Sequence, residues 1–245
     1  MSGHTLILGA GSSIAKEAAR LLASRGETLF LAGHDPEELE RQAEDLRIRW
    51  GGQVAVGRFD ALEPAGHPAL FERVLAELGR LDAVIVACGY LGPDPAAVVG
   101  DEPGRILAVN CSGLLPMLGW CAEHMRANRA GVILGIGSVA GDRGRQSNFV
   151  YGAAKGAFAL WLQGLRNRLH PYGVRVVTFK PGFVDTPMTF GRTGLFRVAA
   201  PGAAAAALVR ALEGRAEVVY FPGAWRWIML VVRAIPERIF KAMKT

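Results

Sequence analysis

The stretch Gly135-Ile-Gly-Ser138-Val-Ala-Gly-Asp-Arg143-Gly-Arg145-Gln-Ser-Asn-Phe-Val-Tyr151-Gly-Ala-Ala-Lys155 decides how the chain folds. Before it runs Val132-Ile-Leu-Gly-Ile136, apolar and short enough for a single buried strand. After it comes an Ala- and Leu-rich segment that reads as a helix to Leu169. Ser138 therefore falls at the carboxyl end of a strand. Tyr151 and Lys155, one helical turn apart at a helix start, share one face.

That arrangement has a chemical use. A phenol loses its proton at about pH 10. A neighbouring ammonium favours the phenolate, so Lys155 is expected to lower the Tyr151 pKa. The pair then exchanges protons near neutral pH, and the Ser138 hydroxyl can hold the substrate oxygen. The plain alternative is a surface Tyr and Lys on an ordinary helix.

With Ser138, Tyr151 and Lys155 at this spacing, nearly the whole chain resembles the short-chain dehydrogenase/reductases. The resemblance implies a nicotinamide-dependent oxidoreductase that interconverts a carbonyl and a secondary alcohol. Tyr151 would be the acid/base, Lys155 would hold the nicotinamide ribose and tune Tyr151, and Ser138 would position the carbonyl. It also implies an α/β fold: a Rossmann-type doubly wound parallel sheet of about seven strands with helices on both faces, in one domain over residues 1–221.

Composition fits one such domain. The chain has 245 residues, 51% of them hydrophobic, enough for a full core. A net charge of +6 suits an anionic substrate, a cofactor phosphate or an acidic membrane surface. No basic run with interleaved aromatics points to nucleic acid. Cys88, Cys111 and Cys121 lack metal-ligand spacing and read as reduced core residues of a cytoplasmic protein, with no metal expected. The first strand begins at once, so no signal peptide is expected, and no apolar stretch is long enough to span a bilayer.

His4–Leu8 reads as the first strand, followed by Gly9-Ala-Gly11-Ser12-Ser13-Ile14-Ala15 and a helix over Lys16–Arg25. A strand, a Gly-rich turn and a helix start form a phosphate site, because bare N–H groups and the helix dipole face the anion. The family usually carries glycine where Ser13 and Ala15 stand; smallness is kept. Thr28–Ala32 is the second strand. No acid follows it to meet the free ribose of NAD; Gly33 and His34 stand there, and His34 replaces the arginine common in users of NADP. NADP(H) is therefore favoured over NAD(H), although His34 can equally be a solvated turn residue.

Helix Pro36–Trp50, strand Val54–Phe59, helix Pro68–Leu78 and strand Asp82–Ala87 follow. The resemblance places Asp60 and Ala61 at the adenine, though Asp60 also suits a helix cap. Ala87-Cys88-Gly89 replaces the family's Asn-Ala-Gly. One helix, Pro103–Ala127, carries Asn110, which by resemblance kinks the helix and holds a water that relays protons to the lysine; local bonding is the alternative. After Tyr151, Phe158, Trp161 and Leu165 read either as an exposed stripe for a homodimer or homotetramer or as core. Strand Val174–Phe179 leads into Pro181-Gly182-Phe-Val184-Asp-Thr186, which resembles the family's loop over the nicotinamide, with Val184 and Thr186 as carboxamide or phosphate partners. Residues 187–200 read as a substrate lid, Pro201–Leu212 as a helix and Val218–Phe221 as the last strand.

Residues 222–245 form a tail rich in Trp, Leu, Val, Arg and Lys, broken by Pro236 into two short helices. It suits a membrane interface, on the inner face of a membrane, or packing on the subunit. The phosphate turn, the lost Asn and this tail look most like the reductases of a polyprenyl-phosphate-linked keto-pentose, so the substrate is a small-molecule or lipid-linked carbonyl. Arg143, Arg145, Arg192 and Arg197 then become candidate phosphate partners. Two alternatives remain open: a soluble reductase of ketones, steroids or acyl chains, and a catalytically silent nucleotide-sensing or scaffold protein.

Overall fold

The computed structural model describes residues 3–93, 99–191 and 196–243. Among these, seven strands pair in parallel in the order β3-β2-β1-β4-β5-β6-β7. They are β1 (His4–Leu8), β2 (Thr28–Gly33), β3 (Val54–Arg58), β4 (Ala83–Val86), β5 (Val132–Ile136), β6 (Arg175–Pro181) and β7 (Val218–Phe221). The helices are α1 (Ser13–Ala23), α2 (Pro36–Trp50), α3 (His67–Leu78), α4 (Glu102–Asn110), α5 (Leu115–Asn128), α6 (Phe149–Leu169), α7 (Pro201–Glu213), α8 (Trp225–Ala234) and α9 (Glu237–Phe240). Chain direction reverses across the sheet between β1 and β4, which opens a crevice above their carboxyl ends.

The strands read as continuous apolar runs because both sheet faces are covered. On β1, Ile7 enters the layer holding Ala15, Ala18, Leu22, Leu39, Ala204 and Leu208. Its neighbours Leu6 and Leu8 point the other way, among Phe71, Val74, Met117, Leu118, Phe158 and Leu162. Alanines on α1 and α7 meet in the first layer, so these two helices pack closely. Local signals set α2: the Asp35 carboxylate accepts from the Glu38 amide at 3.0 Å, Pro36 opens the first turn, and Gly51 ends it at φ 66°.

One expectation needs correction, and one open alternative is resolved. The single helix over 103–127 is two helices bent by 41°. Cys111 leaves helical geometry at φ −148°, ψ −81°, and a short 3-10 turn, Ser112–Leu114, reconnects α4 to α5. The bend carries Gly113 so close to the Ala61 carbonyl that a Cβ there would lie 1.9 Å from the oxygen. Second, Phe158 and Leu165 are core, not an exposed stripe; Trp161 is half-buried. No single helix among the described residues is long and apolar enough to cross a membrane.

Gly113→Ala is expected to destabilise the fold by about 1–3 kcal/mol, because backbone rather than a flexible side chain must yield. The denaturant midpoint measures it.

Candidate active site

The crevice at the sheet's carboxyl edge is a cleft of about 870 Å³, within the range of small-molecule and cofactor sites. At one end lies the turn after β1. Gly9 has φ 77°, and a Cβ on it would come 2.6 Å from the Cys88 amide nitrogen. Only a glycine lets this turn lie against the top of β4. Ser12 caps α1, its hydroxyl accepting from the Ala15 amide at 3.2 Å. The open N-terminus of α1 therefore faces the cleft beside Gly9, Gly11, Ser12, Ser13 and Ile14. That cradle, closed to any side chain at Gly9, fits a dinucleotide pyrophosphate.

His34, Asp60, Ala61, Ala87, Gly89, Pro181, Gly182, Val184 and Thr186 line the same cleft, with Ser138, Tyr151 and Lys155. Seventeen residues, spread in sequence from Gly9 to Thr186, converge there because they stand at strand carboxyl ends or in the first turns of the helices that follow. Asn110 lies just behind the lining, fully buried. Its Nδ2 donates to the carbonyls of Ile106, at 2.8 Å, and Tyr90, while its Oδ1 accepts from the Tyr90 amide at 3.2 Å. It thus terminates α4 and fixes the backbone that follows Gly89.

α6 reaches the serine loop through close backbone contact. A Cβ on Gly156 would come 2.9 Å from the Gly141 carbonyl. The approach brings Ser138 and Tyr151 to the same cleft wall; the Ser138 hydroxyl oxygen accepts from the Ala140 amide at 3.1 Å. Lys155 is buried, and its Nζ donates to the carbonyls of Cys88 at 3.0 Å and Ile136 at 3.1 Å. The expected depression of the Tyr151 pKa by Lys155 is not what the geometry gives. The ammonium stands 5.9 Å from the phenol ring's centre and points to the strand carbonyls. Burial instead pushes the Tyr151 pKa up to about 12, opposed in part by the nearby Ser138 hydroxyl. Burial lowers Lys155 to about 8.

Several residues at the site were not foreseen. Glu38, in the first turn of α2, lines the cleft beside His34 and pairs with Lys16 of α1; that pairing joins two helices and leaves no local pattern. Tyr90, Leu91, Arg105, Val109, Met188 and Phe190 line the end beyond Tyr151. Arg105 lies over the Tyr90 ring at 4.8 Å.

Of the arginines expected to meet a phosphate, Arg143 is committed elsewhere. It donates to Glu237 at 2.7 Å and to the Arg233 carbonyl at 3.2 Å, and lies 4.3 Å over the Phe240 ring. Arg145 and Arg197 are not on the cleft wall, and Arg192 lies outside the described residues. On the opposite wall Trp225 is buried against Gly182, leaving no room for a Cβ there, and packs on Phe183 and Phe196 at 5.6 and 5.1 Å between ring centres. The tail therefore packs behind the Gly182 side of the cleft.

A model of the short chain dehydrogenase family matches residues 3–193, and the chain belongs to that family. It is an oxidoreductase fold with a nicotinamide-dinucleotide cleft. An uncharacterized oxidoreductase of Mycobacterium tuberculosis H37Rv is 35% identical over 240 residues, covering 97% of this chain and 96% of that protein. A cyclopentanol dehydrogenase of Comamonas sp. is 30% identical over 185 residues, covering 75% of this chain and 74% of that one. A short-chain dehydrogenase from Sphingobium yanoikuyae, solved with NADPH, superposes at a TM-score of 0.81 with 27% identity, covering 96% and 97% of the two chains.

Tyr151→Phe is expected to lower turnover by about 10²–10⁴-fold, the usual share of a general acid, with dinucleotide binding unchanged by fluorescence titration. Lys155 carries its charge below its pKa of about 8 and loses it above. Carbonyl reduction should therefore hold steady from neutral pH to that point and decline above it, in a pH–rate profile.

Proposed function

We propose that this protein reduces the carbonyl of an apolar-bodied substrate to a secondary alcohol, with NADP(H) favoured over NAD(H). The observation that carries the reading is the single cleft lined by Ser138, Tyr151 and Lys155 together with the Gly9–Ile14 phosphate cradle. Ser138 would orient the substrate oxygen and Tyr151 would give it a proton. A phenol that keeps its proton throughout the neutral range suits donation. Bound in the cleft, the nicotinamide dinucleotide supplies the hydride. Gly9, Gly11, Ser12, Ser13 and Ile14 would hold its pyrophosphate, Asp60 and Ala61 its adenine, and Lys155 its nicotinamide ribose. Ala87, Gly89, Pro181, Gly182, Val184 and Thr186 would border the nicotinamide. Asn110, fixed behind Lys155 and Gly89, is placed to support a proton relay to the lysine. An intact set of these groups speaks against a silent scaffold.

The cofactor preference is supported by what closes the adenosine end. No acid ends β2, and His34 is exposed on the rim. Of the two carboxylates that follow β2 on the cleft wall, Asp35 is engaged in capping α2 and Glu38 is paired with Lys16.

For the substrate, Leu91, Val109, Met188 and Phe190 offer apolar surface, and Arg105 a cation. The Comamonas relative is named for a cyclic alcohol, which supports a plain ketone or alcohol. The more particular reading, a keto sugar on a lipid phosphate, is supported by Arg105 beside that apolar wall and by the exposed apolar and basic tail. Pairing of two or four copies is supported by the groove of Pro116, Trp120, Trp161 and Leu165 between α5 and α6, where Trp120 is half exposed.

Titration should show NADPH bound more tightly than NADH. His34→Ala should loosen NADPH about tenfold, the worth of one charge-assisted hydrogen bond, and leave NADH unchanged; Glu38→Gln should tighten NADPH. A preference for NADH overturns the cofactor reading. Turnover of a ketone panel with the preferred cofactor tests the reaction class.

A further inference from the structure

Helix α8 has two apolar faces and only one is used. Trp225, Ile228, Met229 and Val232 turn inward, against Val139, Phe183 and Tyr220. Trp227, Leu230, Val231 and Ala234, at helical spacing on the opposite side, are exposed. Trp227 is 64%, Leu230 59% and Val231 66% accessible, and Ile239 of α9 adds 57%. Large apolar side chains gathered on one face of a short helix mark an interaction surface.

Charge selects its occupant. Arg226 and Arg233 lie a double turn apart along one edge of the exposed stripe, and Arg238 and Lys241 follow on and after α9. All four are exposed, and none forms an ion pair among the described residues. The one acid of this surface, Glu237, is held by Arg143. A second copy docked face to face would set these cations against themselves with no free carboxylate between them. An anionic bilayer satisfies both features: apolar side chains enter the acyl boundary while arginine and lysine heads reach lipid phosphates.

We infer that the outer face of α8 and α9 is a docking surface for an anionic membrane. The position is functional as well as adhesive. The inner face of α8 carries Trp225, which packs on Phe196 and against Gly182, and α9 is tied to Arg143 between Ser138 and Tyr151. Phe190, 86% accessible, belongs to the cleft wall. Docking would thus turn the side of the molecule behind Gly182, next to the cleft, toward lipid. This deepens the reading of the cleft by naming where its substrate resides, and rests on that reading only for the substrate's entry.

The test uses the full-length protein and two kinds of vesicle, pure phosphatidylcholine and an equal mixture with phosphatidylglycerol. The protein should pellet with the mixed vesicles and be released by high salt. Trp227→Glu with Leu230→Glu should weaken pelleting at least tenfold, and Arg226→Gln with Arg233→Gln roughly fivefold per cation removed. Both double variants should reduce a soluble ketone, such as cyclopentanone, at the wild-type rate, which shows their folds intact. Absence of pelleting with the mixed vesicles overturns the inference. So does pelleting that the acidic substitutions leave undiminished, or a wild-type oligomer that those substitutions dissociate, which would make a second copy the occupant. Pelleting by a protein that reduces no ketone supports the docking surface and counts only against the reading of the cleft.

Discussion

A buried ammonium ties the molecule together. Lys155 reaches from α6 to the carbonyls of Cys88 and Ile136, which follow or end the adjacent strands β4 and β5. Both carbonyls belong to backbone at the carboxyl edge of the sheet, where the parallel ladder leaves acceptors unpaired. Burial makes the charge costly, visible in a pKa lowered to about 8, and the two carbonyls offset part of that cost. With the lysine fixed, α6 cannot rotate, and Tyr151, one turn earlier, is held against Ser138.

The constraint also explains the chemistry available to Tyr151. Helical spacing puts lysine and tyrosine on one face, but the ammonium is drawn to the strand carbonyls. The phenol is left largely buried on the cleft wall and keeps its proton. The site is preorganised as a donor, with its cation a side chain's width away beneath the ring. Asn110 serves the same edge from behind. Its bonds to the amide and carbonyl of Tyr90 and to the Ile106 carbonyl tie the end of α4 to the loop after β4.

The carboxyl-terminal segment packs against the loops after β5 and β6. Its first helix wedges Trp225 against the loop after β6, and its second is pinned by Arg143 from the loop after β5. Beneath them Asp142, nearly buried, pairs with Lys180 and accepts from Tyr220 at 2.6 Å. Three consecutive strand ends are therefore cross-linked by polar and aromatic contacts on the side away from the phosphate turn. The functional residues stand on strand ends whose positions are fixed from both sides, so small displacements of the tail act on the cleft directly.

Much of this was legible in the sequence. Apolar runs alternating with amphipathic helices marked the individual strands and helices, since strands covered on both faces carry no polar face to confuse the pattern, and the family resemblance implied the parallel sheet. Asp35, Pro36 and Gly51 bounded α2 because capping is a matter of immediate neighbours. The glycine turn and the Tyr151–Lys155 face follow from spacing alone. What sequence could not decide were contacts between distant segments. The break after Asn110 depends on the Ala61 backbone half a domain away. Burial of Phe158 and Leu165 depends on which face of α6 meets the sheet. Arg143 could be placed near the substrate but not assigned its partner, Glu237, ninety-four residues on. Neither the direction of the Lys155 ammonium nor the Lys16–Glu38 pair has a local signature. Local geometry is written in near-neighbour chemistry, whereas the choice of partner for a long charged side chain is made only when folding brings candidate acceptors within reach.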